Sequence, residues 1–143
     1  MADKQEVDLV VGKSQLQYVS RNDWVLILDK AKYVNFKKDE SLIQQGKQPA
    51  AVFVIMSGKA QIRNGFGVTI ARICAGEICG EMAFLENTSA SATVVAEEAM
   101  VVCGIDWPIL QDLFELYPHL ASRFYRSLAV NLSRRLRGQI SRI

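Results

Sequence analysis

The run Gly76-Glu77-Ile78-Cys79-Gly80-Glu81-Met82-Ala83-Phe84-Leu85, followed by Ser89-Ala90-Ser91-Ala92-Thr93-Val94, gathers the residues of this chain best suited to hold a polar ligand. Gly80 lets the backbone approach a ligand closely and adopt conformations closed to other residues. Glu81 is acceptor-only when ionised, so it can take a hydrogen bond from a sugar hydroxyl. Amides opening a short helix at Met82–Phe84 can point at an anion, because first-turn N–H groups lack helical partners and carry partial positive charge. Thr88, Ser89 and Ser91 add neutral donors. Together these groups can hold a hydroxyl and a phosphate side by side. Glu77 has the same local look as Glu81.

Other chemistries find little material. The three cysteines, Cys74, Cys79 and Cys103, sit among apolar residues and read as buried thiols acting as small hydrophobes. Their odd number argues against a disulfide framework. A zinc or iron–sulfur site wants four ligands, and His119 is the sole imidazole that could help. No nucleophile and base recur at a catalytic spacing. The expectation is a protein that is not an enzyme, with neither metal nor cofactor.

At 143 residues the chain fits one domain and can bury a core. No window approaches the roughly 18 consecutive apolar residues of a membrane span. Early charges at Asp3, Lys4, Glu6 and Asp8 argue against a signal peptide, so the expected location is the cytoplasm, away from membranes. Net charge is +2 but uneven: 11 basic and 15 acidic residues precede His119, and six arginines with no acid follow.

A scaffold must bring the polar run together. Residues 1–15 lack periodicity and are expected to form a flexible lead-in. Ser20 and Asp23 have the spacing of a capping box, which predicts a helix over about 21–31 with Trp24, Ile27, Leu28 and Ala31 on one face. From Tyr33 to Ile105 short apolar or alternating runs are separated by turn residues. Among these, Asn64-Gly65 tolerates positive φ and marks a tight hairpin. Seven or eight strands so spaced predict a β-sandwich, jelly roll or barrel. Asp106 reads as an N-cap, with Pro108 in the first turn of a helix to about Tyr117. After Pro118 a long helix runs from His119 to the terminus. Phe124, Leu128, Leu132, Leu136 and Ile140 share its broad apolar face, and Arg123, Arg126, Arg134 and Arg137 lie opposite, as a solvated charged face or, next, as a contact for an acidic surface in the same or another chain.

Several blocks, in order, carry a family likeness. They are Lys38-Asp39-Glu40-Ser41-Leu42-Ile43-Gln44-Gln45-Gly46, Val52-Phe53-Val54-Ile55-Met56-Ser57-Gly58-Lys59-Ala60, Gly80-Glu81-Met82-Ala83 and Ala92-Thr93-Val94-Val95-Ala96. From about Leu16 to Ile143 the chain resembles the cyclic-nucleotide-binding domain, shared by the catabolite activator protein, regulatory subunits of cAMP-dependent kinase and nucleotide-gated channels. The resemblance implies a mainly β fold with flanking helices: a double-stranded β-helix (jelly roll) of about eight strands. It places the roll at about 33–106, the C-terminal helices at about 107–143 and the whole domain at 16–143. It implies a regulatory sensor of cAMP or cGMP whose site is Gly80, Glu81, Met82, Ala83, Ala90, Ser91 and Ala92. In the family the matching glutamate binds the ribose and the matching amides touch the cyclic phosphate.

One departure stands out. At Ala90 the family carries an arginine that pairs with the phosphate, and Ser89 stands where a proline often precedes it. An arginine fork makes bidentate, charge-assisted bonds to phosphate oxygens that a methyl cannot replace. Arg63 and Arg72 are the strand residues that could reach in instead. The departure leaves an alternative: a degenerate pseudo-sensor that binds no cyclic nucleotide and serves as a dimerisation or docking module. In the family the helix after the roll closes over the pocket or forms a dimer seam, which implies relay of occupancy through the C-terminal helix and a homodimer. In transcription factors of the family a helix-turn-helix follows. None follows Ile143, so no direct DNA binding is expected, whether the chain stands alone or is a fragment of a longer protein.

Overall fold

Residues 51–55, Ala-Val-Phe-Val-Ile, are buried without a break, which happens when a strand is covered on both faces. In the computed structural model, which describes residues 3–141, this run belongs to β3 (Ala51–Ser57). Ala51, Phe53 and Ile55 point into a β-roll, while Val52 and Val54 pack against helices on the outside.

The roll consists of two four-stranded antiparallel sheets. One has the order β1-β8-β3-β6, with β1 at Lys32–Phe36, β8 at Met100–Asp106 and β6 at Ile78–Cys79. The other has the order β2-β7-β4-β5, formed by Ser41–Ile43, Thr93–Ala96, Ala60–Arg63 and Thr69–Ile73. Ile43, Ile73, Val94, Ala96, Met100 and Val102 close its interior. The eight-stranded roll with flanking helices is the fold the sequence pattern implies. The Asn64-Gly65 hairpin is present too, although its positive φ falls on Gly67; Asn64 Oδ1 accepts from the amides of Phe66 and Val68.

The second core lies between the roll and the helices α2 (Arg21–Asp29), α4 (Trp107–Leu116) and α5 (Pro118–Ser141). Ser20 and Asp23 form the expected capping box. Asp23 does more: its carboxylate, 2% exposed, takes two bonds from Arg123 of α5, at 2.6 and 2.7 Å. Arg123 is therefore an anchor on an acid of the same chain, the second reading of the stripe, and not part of a solvated face. The Ser127 hydroxyl accepts from the Tyr18 amide, and the Arg126 guanidinium sits over the Tyr18 ring. These contacts pin the first half of α5 to the N-terminal segment.

The expected irregular lead-in is instead a helix, α1 (Lys4–Lys13), capped by Asp3 and burying Val7 and Val10 against the core. Its C-terminal end rests on Gly76, at φ +89, where an added Cβ would lie 2.2 Å from Lys13 Cβ. The last two residues of the long C-terminal helix expected from the sequence lie outside the described residues. Cys79 and Cys103 are buried as expected, whereas Cys74 is exposed in the β5–β6 turn.

Candidate functional site

The turn that opens the site is shaped by glycine. Gly80 caps α3 (Glu81–Glu86) at φ +84, and a Cβ there would meet the Ala51 carbonyl oxygen and Ile43 Cδ1, each at 3.2 Å. A side chain would thus be both strained and crowded, so the chain can turn here without leaving the roll. Glu77 closes the preceding turn, its Oε1 accepting from the Cys74 amide at 2.9 Å. Phe84 holds α3 from behind, edge-on to Trp107, Phe114 and Phe124 at 5.7, 6.1 and 6.4 Å between ring centres. The last of those rings belongs to α5, so the cassette and the long helix share one aromatic cluster.

Between the cassette, the roll and α5 lies a cavity of about 500 Å3, within the range of small-molecule sites. All seven residues expected from the sequence, Gly80, Glu81, Met82, Ala83, Ala90, Ser91 and Ala92, line it. Glu81 is half-buried overall, yet its Oε2 is sealed from solvent and has no hydrogen-bond partner. Burial pushes its carboxyl up, against the opposing pull of its own amide and of Arg135 on α5. An unpartnered acceptor in an enclosed site is costly unless a ligand donates to it. The Phe84 amide is spent on the Gly80 carbonyl at 3.3 Å, so of the three amides expected to meet an anion, those of Met82 and Ala83 are the ones left.

At Ala90 the main chain is spent as well: its amide donates to the Lys47 carbonyl and its carbonyl accepts from the Gly46 amide, both at 2.9 Å. Ala90 therefore offers a methyl group alone. Of the two strand arginines considered as substitutes, Arg63 bonds Gln61 and lines a separate groove. Arg72 borders the cavity, but its Nε donates to Glu97 at 3.0 Å. Sequence reasoning did not single out Gln15, Asn131 or Arg135, which also line the cavity. The signal was present in α5, where Leu128, Asn131, Leu132 and Arg135 follow one another at i, i+3, i+4 and i+7 on one face.

Comparison with known proteins agrees with this geometry. The family model described as "Cyclic nucleotide-binding domain" matches residues 33–117, and the chain belongs to that family. Cyclic GMP-binding protein C of Dictyostelium discoideum is 26% identical over 124 residues, which is 84% of this chain and 5% of that protein. The chain therefore spans a small part of that relative's length. A cyclic nucleotide-binding domain from Methylobacillus flagellatus KT matches with a TM-score of 0.79 at 20% identity, covering 97% of this chain and 83% of that one. The catabolite activator protein of Thermus thermophilus matches with a TM-score of 0.73 at 25% identity, covering 90% of this chain and 60% of that one. Among the described residues, no helix is long and apolar enough to cross a membrane.

Proposed function

We propose that this domain is a cytoplasmic regulatory sensor that binds cAMP or cGMP and relays occupancy through α5. The observation that carries the reading is Glu81 Oε2, buried, unpartnered and set in the wall of the cavity. It is the acceptor a ribose hydroxyl would satisfy. The amides of Met82 and Ala83 with the Ser91 hydroxyl would receive the phosphate. The name of the Dictyostelium relative adds weight to a cyclic nucleotide as ligand. Adjacency supports relay, since Phe84 of the cassette packs edge-on to Phe124 of α5, and Leu128 and Leu132 of that helix line the cavity.

Calorimetry with cAMP and cGMP tests the reading. The wild type should bind at least one of them, and Glu81→Gln should bind it about tenfold more weakly, the difference between a charged and a neutral acceptor. Ala90→Arg should tighten binding by one to two decades, as expected for a charge-assisted partner worth about 1.5–3 kcal/mol. Ala90 itself favours the second reading, a docking module with a pocket that no cyclic nucleotide enters. Binding seen only in Ala90→Arg would overturn the first reading and favour the second.

A further inference from the structure

A second groove, of about 540 Å3, lies on the outer face of the roll, between the turn before β2, the β4–β5 hairpin and β7. The sheet itself separates it from the cavity: Ile62 and Val94 line the cavity, whereas their neighbours Arg63, Thr93 and Val95 line the groove. Val95 faces outward, belongs to neither core, and is still only 6% exposed. Walls therefore rise around it on a sheet face that would otherwise be open.

The hydrogen-bonding groups of this groove are unevenly spent. Its neutral side-chain acceptors are taken within the chain: Asn64 Oδ1 by the amides of Phe66 and Val68, and Thr93 Oγ1 by the Gln45 amide. Arg63 donates Nε and Nη2 to Gln61 Oε1, at 3.2 and 2.9 Å. Donors are left over. Arg63 Nη1, Asn64 Nδ2, the Gly65 amide and the hydroxyls of Ser41 and Thr93 donate to nothing among the described residues. Gly65 is also kept bare, since a Cβ there would meet Gln45 Nε2 and Oε1 at 3.2 and 3.3 Å.

The one charged acceptor of the groove is Asp39, in a turn fixed by its own amide, which donates to the Ala96 carbonyl at 2.8 Å. Asp39 and Arg63 line the same groove with opposite charges. Neither makes an ion pair, with the other or with any described residue. An anion alone would bring like charge to Asp39, and a cation alone would bring it to Arg63. A molecule carrying both charges satisfies both ends. We propose that the groove is a second ligand site, taking a small zwitterion whose carboxylate or phosphate meets Arg63 and whose ammonium meets Asp39. A guanidinium suits that anionic group because its N–H bonds to an oxyanion are charge-assisted, and the free Gly65 amide adds a further donor.

Amide chemical shifts of isotope-labelled protein test the site. The probes are γ-aminobutyrate and phosphoethanolamine, which offer the two kinds of anion, each set against its counterpart without the ammonium, butyrate or methyl phosphate. At least one zwitterion should shift the amides of Gly65 and Thr93 with a dissociation constant of about 1 mM or tighter. It should bind about tenfold more tightly than its counterpart, and Arg63→Gln should weaken it by about the same factor. In Asp39→Asn, where asparagine tolerates the φ of +74, the zwitterion should bind no better than the simple anion. Glu81→Gln should change none of these values. The proposal is overturned by a zwitterion and a simple anion that bind alike, by binding that survives in Arg63→Gln, or by the absence of any shift. Shifts that appear instead at Ser91 and Ala92 and vanish in Glu81→Gln overturn it as well, placing the ligand in the cavity and leaving the role of Glu81 standing.

Discussion

Burial holds the Glu81 carboxyl above its ordinary range, and a hydroxyl donating to it would pull the other way. In the ligand-free protein the protonated acid is the easier species to enclose. Its contribution to folding stability is therefore full below the unfolded value near 4.5 and is lost as pH rises through the raised folded value. Under the proposed reading binding has the opposite dependence, because the ionised carboxylate is the stronger acceptor for a ribose hydroxyl. Affinity measured by calorimetry should rise with pH above 4.5, by up to about tenfold per unit, and level off once Glu81 is ionised. Glu81→Gln should remove that slope, and a slope retained in the variant would assign the titration to another group. Ala90 belongs to the same problem, since its methyl would leave the phosphate end of a bound nucleotide to neutral donors.

The elements that carry these residues are tied together by contacts of different kinds. Arg123 joins α5 to the cap of α2 through Asp23, whose carboxylate is held below its usual range chiefly by that guanidinium. Arg123→Ala would strand a carboxylate that is 2% exposed, and unfolding should become easier by about 2–3 kcal/mol. That is the low end for a buried pair, because the guanidinium itself is 43% exposed. A chemical denaturation midpoint that does not move would show that the pair is neutral in net effect. Asp23 stabilises above pH 3.8, and that share is lost as pH falls through its depressed folded value. The capping box, the roll strands, α4 and α5 were all readable in the sequence, because caps, period-2 runs and an apolar helix face are local signals. Helix α1 was not. Only Val7 and Val10 of its ten residues are buried, and its packing partner, Gly76, is distant in sequence. The cassette residues were legible because their chemistry lies in one continuous run. Arg135 was hidden for a different reason: which side chains of a helix meet a cavity depends on how the helix crosses the roll, and the arginine stripe alone does not say so.

In the molecule as a whole, α5 is longer than the surface it covers. Its 24 residues span about 36 Å, and the described part beyond Leu132 carries Leu136 and Ile140, each 58% exposed. Such a face calls for a second apolar surface, and a second copy of this chain would supply an identical one by two-fold symmetry. Sedimentation at increasing concentration should show a reversible dimer, and the double variant Leu136→Glu with Ile140→Glu should remain a monomer. A wild type that stays monomeric at every concentration would rule the dimer out. The three cysteines settle a practical matter in the same molecule. Burial pushes the thiol of Cys79 up and that of Cys103 up to about 12, so neither forms appreciable thiolate near neutral pH. Cys74 is exposed, in the turn closed by Glu77, which lines the cavity. A thiol-reactive fluorophore will therefore attach at one address, in a chain that needs no cysteine removed, on a turn held between α1 and the cavity.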